Sequence, residues 1–288
     1  MKDPEKQSLI LAHTSALLLG FIGPVIKILN APTEAILFGR SLFEAITLLF
    51  VCIVAKRSLR FDSPRDYAAL AFLGLLQAAQ WYTFIFAVQL TSVAAALIAT
   101  FTFPLWVALL EPLLFKERIR KSSIVTALAI VLGLYWTAPR FDWNRTTEGM
   151  AWGLLSAILI ASAMLLTRKY VRKYSSLSIS MYKGIIAFAA VSPVMFLDWK
   201  LEPMDWARLA FLGVFLTALP YLLITISMRS ISAGRVSAII SLEPIYGTIL
   251  AAVLLSEIPG PWTIAGGLLV LGAGLFQTLY NRTTPVEM

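Results

Sequence analysis

The stretch that decides the fold runs from Ser232 to Glu257 and reads SAGRVSAIISLEPIYGTILAAVLLSE. It is long enough to cross a bilayer as a helix, which takes about 20 mainly apolar residues. Near its middle it carries Glu243 and Pro244. Both are unfavourable in a helix that faces lipid, because one is ionisable and the other removes a backbone hydrogen-bond donor. We therefore expect Glu243 to face a cavity or a partner side chain.

A weaker copy of this stretch lies earlier in the chain. A gap-free alignment places Ser92, Pro104, Leu114 and Glu117 on Ser232, Pro244, Leu254 and Glu257. The same alignment places Phe103 on Glu243, so that the carboxylate belongs to one copy only. The alignment predicts that the two halves of the chain are copies of one another.

The composition indicates an integral membrane protein. Of 288 residues, 59% are hydrophobic and 14% charged, and the mean hydropathy is +0.80, which exceeds what one water-soluble core requires. The net charge of +8 is scattered between apolar runs, so it does not indicate nucleic-acid binding. The chain has one cysteine, Cys52, and one histidine, His13, which is too few for a disulfide framework or a multi-histidine metal site. We expect neither a metal nor a cofactor.

Apolar windows of spanning length predict an all-α fold with ten transmembrane helices. The first five lie near 8–29, 33–55, 67–88, 92–115 and 122–138, and the second five near 149–167, 177–197, 206–228, 233–256 and 259–280. The polar segment 139–148 joins the two sets. The sequence thus predicts two five-helix repeats, residues 8–138 and 149–280.

The distribution of basic residues predicts the orientation. With the N-terminus inside, seventeen Lys and Arg residues fall on cytoplasmic segments and three on the opposite side, as the positive-inside rule requires. Both termini are therefore expected in the cytoplasm. Five helices are an odd number, so the second repeat enters the membrane from the opposite side. Inverted repeats of this kind place a substrate site near the midplane, around a central cavity, and support alternating access.

The segments SLEPIYGTILAAVLLSE and TFPLWVALLEPLLFKE resemble the paired signature of the EamA-type drug/metabolite transporters. The resemblance covers nearly the whole chain and is greatest to the YddG-type exporters of aromatic and other neutral amino acids. It implies export of amino acids from the cytoplasm across the bacterial inner membrane. It also implies a basket-like helix bundle with a central cavity.

The third predicted helix gathers amides and aromatic rings on one face. Gln77, Gln80, Trp81 and Phe84 follow one another at intervals of three and four residues, which places them on one side of a helix. Such a face is typical of a small-molecule pocket, although it also serves helix packing. Tyr221 aligns with Trp81 in the repeat, which favours the same role for both.

Polar and aromatic residues near the two aligned prolines are further candidates for the substrate site. These are Thr100, Phe101 and Phe103 beside Pro104, and Ser237 and Ser241 before Pro244. Backbone opened by a membrane proline must line a cavity or be covered by protein, so Pro104 and Pro244 are predicted helix hinges. Lipid contact is the alternative for the phenylalanines.

The charged residues within the spans divide into three groups. Glu243 is predicted to receive a substrate ammonium or to change protonation, or else to hydrogen-bond backbone freed by Pro244. Arg40 and Glu44 are four residues apart and are expected to neutralise each other. Lys27, Lys183, Arg208 and Glu111 lie near helix ends, and we expect their side chains to extend to the membrane surface.

Motifs for hydrolysis, phosphate binding and metal binding are missing from the sequence, so we expect a transporter and not an enzyme. The interpretation is a secondary transporter that exports amino acids, with broad specificity. Another small amphipathic metabolite or a cationic drug is the alternative cargo. A non-transporting receptor or an intramembrane enzyme is the alternative of another class. Nothing in the sequence indicates the oligomeric state.

Overall fold

A computed structural model describes residues 3–29, 31–56, 60–90, 96, 99–116, 121–137, 143–196, 201–255 and 260–280. Within these ranges all regular structure is helical and there is no strand, which confirms the predicted all-α class. Three of the residues used to align the repeats, Ser92, Glu117 and Glu257, lie outside the described ranges.

Thirteen α-helices follow one another along the described chain. The first half contains α1 Pro4–Gly20, α2 Ile22–Ile28, α3 Thr33–Val54, α4 Pro64–Leu90, α5 Phe103–Phe115 and α6 Lys121–Thr137. The second half contains α7 Trp143–Val171, α8 Ser176–Val191, α9 Pro203–Gly213, α10 Leu219–Ser227, α11 Ala233–Ile240, α12 Glu243–Leu255 and α13 Pro261–Tyr280. A 3₁₀ turn, Ser192–Phe196, ends α8, and a π turn, Val214–Ala218, joins α9 to α10.

Several of these helices have the length and composition of membrane spans. Four described segments are both long and apolar enough to cross a bilayer, namely Glu34–Val54, Pro64–Ala87, Glu148–Val171 and Pro203–Ser227. Shorter apolar helices run over Phe103–Phe115, Ser122–Gly133, Ser176–Val191 and Ile264–Ala273. The predicted total of ten spans stays a prediction.

The predicted fourth and ninth spans are both interrupted beside their prolines. Phe101 and Thr102 form a turn before α5, and Ser241 and Leu242 form a turn before α12. The proline is the second residue of each following helix, where its missing N–H removes no helical hydrogen bond. The two aligned positions therefore have the same local structure, a break followed by a new helix.

A third irregularity lies in the predicted eighth span. The π turn Val214–Ala218 comes just before Pro220, whose ring and missing N–H disturb regular α-helical hydrogen bonding. The Thr217 hydroxyl donates to the Leu212 carbonyl at 2.9 Å and thereby satisfies one carbonyl of the widened turn. An extra residue in one turn rotates everything that follows about the helix axis. The turn thus sets the direction in which Tyr221 points.

The two halves pack mainly against each other. Helix α1 contacts α10, α11 and α12; α3 contacts α8 and α9; α4 contacts α7 and α8; α5 contacts α7 and α11; and α6 contacts α13. The first predicted span of the first half contacts the third and fourth spans of the second half. Likewise, the first span of the second half contacts the third and fourth spans of the first half. The packing is therefore symmetric under exchange of the halves.

The close approach of α4 to α8 depends on Gly74. A Cβ atom at this position would lie 2.5 Å from Cβ of Ile186 and 2.8 Å from the Lys183 carbonyl oxygen, both well inside van der Waals contact. Only glycine therefore allows the two helices to come this near. Gln77 lies one turn further along α4, and Trp81 lies one turn beyond it, in a cluster with Ala187 and Val191 of α8.

Candidate functional site

A buried carboxylate on α3 forms the centre of a polar cluster. Glu44 is 0% exposed, and both of its carboxylate oxygens accept from Nε2 of Gln77, at 3.3 and 3.1 Å. Its neighbours of opposite charge are Lys183 and Arg40. The predicted Arg40–Glu44 pair thus shares one helix and interacts electrostatically, but Gln77 supplies the hydrogen bonds to the carboxylate.

Two aromatic side chains predicted as counterparts meet beside this carboxylate. The indole N–H of Trp81 donates to the Tyr221 hydroxyl at 3.4 Å, which links α4 of the first half with α10 of the second. The Arg40 guanidinium lies over the Trp81 ring, with Cζ 4.6 Å from the ring centroid. Arg40, Glu44 and Glu243 all lie within electrostatic range of Tyr221. The Trp81–Tyr221 pair therefore joins the predicted pocket face to the ionisable residues.

The expectation for Lys183 was wrong. Its side chain does not extend to the membrane surface; the residue is 7% exposed, and Nζ lies 4.9 Å from the centroid of the Tyr221 ring. The physical reason is the close packing of α4 on α8 at Gly74, together with the attraction of Glu44. An internal carboxylate and an aromatic face offset part of the desolvation of an ammonium group.

Glu243 occupies the first position of α12, directly after the break in the helix. It is half-buried, and Arg40 is its charged neighbour. The free N–H groups and the positive end of the helix dipole at this position favour a carboxylate. The break at Ser241 and Leu242 thus places the Glu243 carboxylate at a helix N-terminus, where a negative charge is stabilised.

The remaining pocket candidates on α4 and near Pro104 occupy different surroundings. Gln80 and Phe84 are half-buried, and the Gln80 carbonyl accepts from the Ser156 hydroxyl at 3.2 Å. The Thr100 hydroxyl donates to the Gly153 carbonyl at 3.4 Å. Phe101 and Phe103 are buried in the main hydrophobic core, with ring centroids 5.8 Å apart. Neither phenylalanine is therefore a lipid contact.

The serines predicted on the ninth span bond to their own helix. The Ser237 hydroxyl donates to the Gly234 carbonyl and the Ser241 hydroxyl to the Ser237 carbonyl, both at 2.9 Å. Both residues are 0% exposed. The Ser237 carbonyl also accepts from the Ser241 backbone N–H at 3.0 Å, so the Ser241 hydroxyl adds a second hydrogen bond in the last turn of α11. The structure thus gives both serines a role in shaping the break.

Glu111 is a functional candidate that the sequence analysis missed. It does not extend to the membrane surface as expected; it is 6% exposed, and Arg168 Nη1 donates to it at 2.6 Å. The backbone N–H groups of Ala233 and Gly234 donate to its two carboxylate oxygens, at 2.6 and 2.9 Å. A carboxylate from the first half thus caps helix α11 of the second. No local pattern signals a contact between positions so far apart in sequence.

The Glu111–Arg168 pair is one of several ion pairs that join the halves in the described part of the chain; we call the pairs Glu111–Arg168, Glu5–Arg235 and Asp66–Lys173 the inter-half ion pairs. Arg235 Nη1 lies 2.6 Å from Oε1 of Glu5, and Lys173 Nζ lies 2.9 Å from Oδ2 of Asp66. Lys173 also lies 2.9 Å from Asp62, and the hydrogen bonds from Lys173 and Tyr174 lower the pKa of the Asp62 carboxyl. All these residues fall in or beside segments that the sequence predicts to be cytoplasmic. The ion pairs therefore connect the two halves at one end of the helix bundle.

The arrangement is suited to holding a small zwitterion or ion between apolar helices. It offers two cations, Arg40 and Lys183, two carboxylates, Glu44 and Glu243, and an aromatic pair that spans both halves. Ionisable groups at this depth are costly unless they are paired or face a polar cavity. The aromatic surface and the few convergent polar groups match the usual composition of a small-molecule site.

Known proteins resemble this chain in sequence and in fold. A sequence model of the EamA-like transporter family matches the chain twice, over residues 6–138 and 147–279. An uncharacterized transporter of Archaeoglobus fulgidus is 24% identical over 261 residues, which are 91% of this chain and 92% of the relative. One crystal structure has the same fold, with a TM-score of 0.82 at 15% identity, covering 96% of this chain and 98% of its own.

Two further relatives carry names that state a cargo. The pseudopaline exporter of Pseudomonas aeruginosa is 24% identical over 275 residues, covering 94% of this chain and 95% of its own. The S-adenosylmethionine uptake transporter of Rickettsia bellii is 24% identical over 241 residues, covering 83% of this chain and 81% of its own.

Proposed function

Because this chain belongs to the EamA-like transporter family, we propose that it is a secondary transporter that exports neutral amino acids, aromatic ones among them, by alternating access. The chain is a membrane transporter and not an enzyme, as its family and the names of its relatives show. The identity of the substrate, the direction of transport and the broad specificity are parts of the proposal.

One observation carries the proposal, namely the ionisable cluster enclosed where the halves meet. Glu44, Gln77 and Lys183 are buried among apolar helices, and Glu243 starts a helix within an apolar span. In the proposed complex, Glu243 receives the substrate ammonium, and Gln77, Gln80, Trp81, Phe84 and Tyr221 form the pocket wall. S-adenosylmethionine, in the name of the Rickettsia relative, contains an amino-acid group, which supports an amino-acid cargo.

The proposed architecture comprises ten spans in two inverted five-helix repeats, residues 8–138 and 149–280, around a central cavity. The exchange symmetry of the helix contacts supports it, and so do the equivalent breaks beside Pro104 and Pro244. Rocking of one half against the other would open the cavity alternately to the two sides. The breaks provide the hinges, and Thr100, Phe101, Phe103, Ser237 and Ser241 surround them.

The alternative cargo is a cationic drug or another amphipathic metabolite. The negative charge of Glu243 and the aromatic faces of Trp81 and Tyr221 favour it, because both attract cations. The names of the relatives point to opposite directions of transport, so export is supported by the resemblance to amino-acid exporters and has to be tested.

Flux into liposomes tests the cargo. We expect proteoliposomes to transport labelled phenylalanine and threonine faster than empty liposomes do, with inhibition by an excess of unlabelled amino acids. The measurement is repeated with and without an imposed pH gradient, which determines whether a proton is coupled to transport. Transport of labelled ethidium without transport of either amino acid would favour the cationic drug, and binding of amino acids without flux would favour a receptor.

Cysteine labelling tests the orientation in the bacterial inner membrane. The only native cysteine, Cys52, is buried, so background labelling of intact cells is expected to be low. Glu148→Cys, at an exposed position beside the join of the halves, should react with a membrane-impermeant maleimide from outside. Lys169→Cys, also exposed, should react only after the membrane is opened. The reverse pattern would contradict cytoplasmic termini.

A further inference from the structure

Two cations flank the aromatic pair at the centre of the molecule. Arg40 lies over the ring of Trp81, with Cζ 4.6 Å from its centroid, and Lys183 lies over the ring of Tyr221, with Nζ 4.9 Å from its centroid. The two rings are joined by the hydrogen bond from Trp81 to Tyr221. A positive charge therefore lies at each end of one aromatic surface, one from the first half and one from the second.

Arg40 has more donor capacity than the described residues use. Nε of Arg40 is buried and has no hydrogen-bond partner in the described part of the chain, and the same is true of Oε1 of Gln77. Nε of Arg40 donates to neither oxygen of Glu44, both of which accept from Nε2 of Gln77. A buried donor of a charged group without an acceptor is costly, which indicates that another molecule supplies the acceptor.

The chemistry of the two cations identifies that acceptor. A guanidinium presents its N–H groups as a planar fork that matches the two oxygens of a carboxylate, and an ammonium adds a point charge without a directional requirement. The aromatic rings beside them offer apolar contacts to the rest of a ligand. Glu243, which interacts electrostatically with Arg40, repels a second negative group, which favours a ligand with a single carboxylate.

We infer that Arg40 and Lys183 form a carboxylate-binding subsite, in which the substrate's carboxylate lies between them against the Trp81–Tyr221 pair. The inference rests on the proposed function, because it concerns the same site, and it adds which group of the substrate is required. Substrates are then small amphipathic carboxylates, which bind more tightly than the corresponding amides and amines. The competing interpretation is that the two cations only neutralise Glu44 and Glu243.

Binding to the purified full chain in nanodiscs tests the inference, because it requires no transport. Isothermal titration compares phenylalanine with phenylalaninamide, threonine with threoninamide, and 3-phenylpropionate with phenethylamine. The wild-type protein should bind each acid more tightly than its amide or amine by about tenfold or more, as the loss of a charge-assisted hydrogen bond implies. Equal affinities within every pair would overturn the subsite.

Substitution of each cation assigns the preference to named residues. Arg40→Gln and Lys183→Gln should each bring the ratio of acid to amide affinity close to one. Arg40→Lys, which keeps the charge and loses the fork, should retain part of the preference. Arg208→Gln is the matched control, since Arg208 is paired with Asp205 on α9 at 3.2 Å, and it should leave the ratio unchanged.

Thermal unfolding shows whether each variant folds. If a Gln variant does not fold, the test rests on Arg40→Lys alone. An unchanged preference for acids over amides in Arg40→Lys would count against carboxylate binding by the planar N–H groups of the Arg40 guanidinium. An unchanged preference in folded Arg40→Gln and Lys183→Gln would support the competing interpretation and overturn the subsite.

The outcome separates this inference from the proposed function. Carboxylate binding that depends on Arg40 and Lys183, without amino-acid flux in liposomes, would leave the subsite standing and reject the exporter. Flux of amino acids and their amides at equal rates would leave the exporter standing and reject the subsite. No binding of any of the six compounds would reject the subsite.

Discussion

Replacing Glu111 with alanine should destabilise the protein by about 3–5 kcal/mol, the range measured when one partner of a buried ion pair is removed. The side chains of Glu111 and Arg168 are 8% and 3% exposed, so little water is available to replace the lost carboxylate. The same substitution removes the acceptor for the N–H groups of Ala233 and Gly234. Equilibrium unfolding in mixed micelles, followed by tryptophan fluorescence, measures the loss.

Glu148→Ala is the matched control, because this glutamate is exposed and should contribute within about 0.5 kcal/mol. The double variant Glu111→Gln with Arg168→Gln should be less destabilised than the sum of its single variants, since it leaves no buried charge of either sign. Glu111→Ala with the stability of the control would show that the pair contributes little to the folded state.

Glu243→Gln should lower amino-acid flux by about 10- to 100-fold, with folding retained. A charge-assisted hydrogen bond contributes about 1.5–3 kcal/mol, and each 1.4 kcal/mol corresponds to about tenfold. Glutamine keeps the shape of the side chain and its ability to accept a hydrogen bond, but it does not attract an ammonium group as a carboxylate does. Initial rates in proteoliposomes with labelled phenylalanine measure the effect.

The competing role for Glu243 is structural, as a hydrogen-bonded carboxyl at the start of α12. Glutamine fulfils that role almost as well, so flux in Glu243→Gln at the level of the wild type would reject substrate recognition by this residue. Glu148→Gln, which removes an exposed charge of the same sign, should leave the rate unchanged and is the matched control.

The irregular parts of the fold could be predicted where the chain itself contains the cause. Pro104 and Pro244 each remove a backbone donor, and the gap-free alignment placed them at matching positions, so equivalent breaks were expected and are found. The alignment of Trp81 with Tyr221 predicted the same role for both residues, but it did not predict the hydrogen bond between them. A repeat thus indicates which positions have the same local structure.

Contacts between neighbouring helices could not be predicted. In helices that are apolar on most sides, periodicity does not tell which face meets a neighbour or how near it comes, so Lys183 was wrongly expected at the membrane surface. Its burial follows from the close contact at Gly74, a property of two helices together. Glu111 was missed for a similar reason, since its partners are on α7 and at the start of α11.

The inter-half ion pairs also determine which surfaces can associate. Each carboxylate in these pairs, from Glu5, Asp66 and Glu111, belongs to the first half, and each cation, from Arg168, Lys173 and Arg235, belongs to the second. Two first halves brought together in the same way would lack these cations, and two second halves would lack these carboxylates. The ion pairs thus favour the mixed pairing, even though the halves have similar sequences. The same division of charge favours association of unlike halves over like halves when neighbouring molecules meet during membrane insertion.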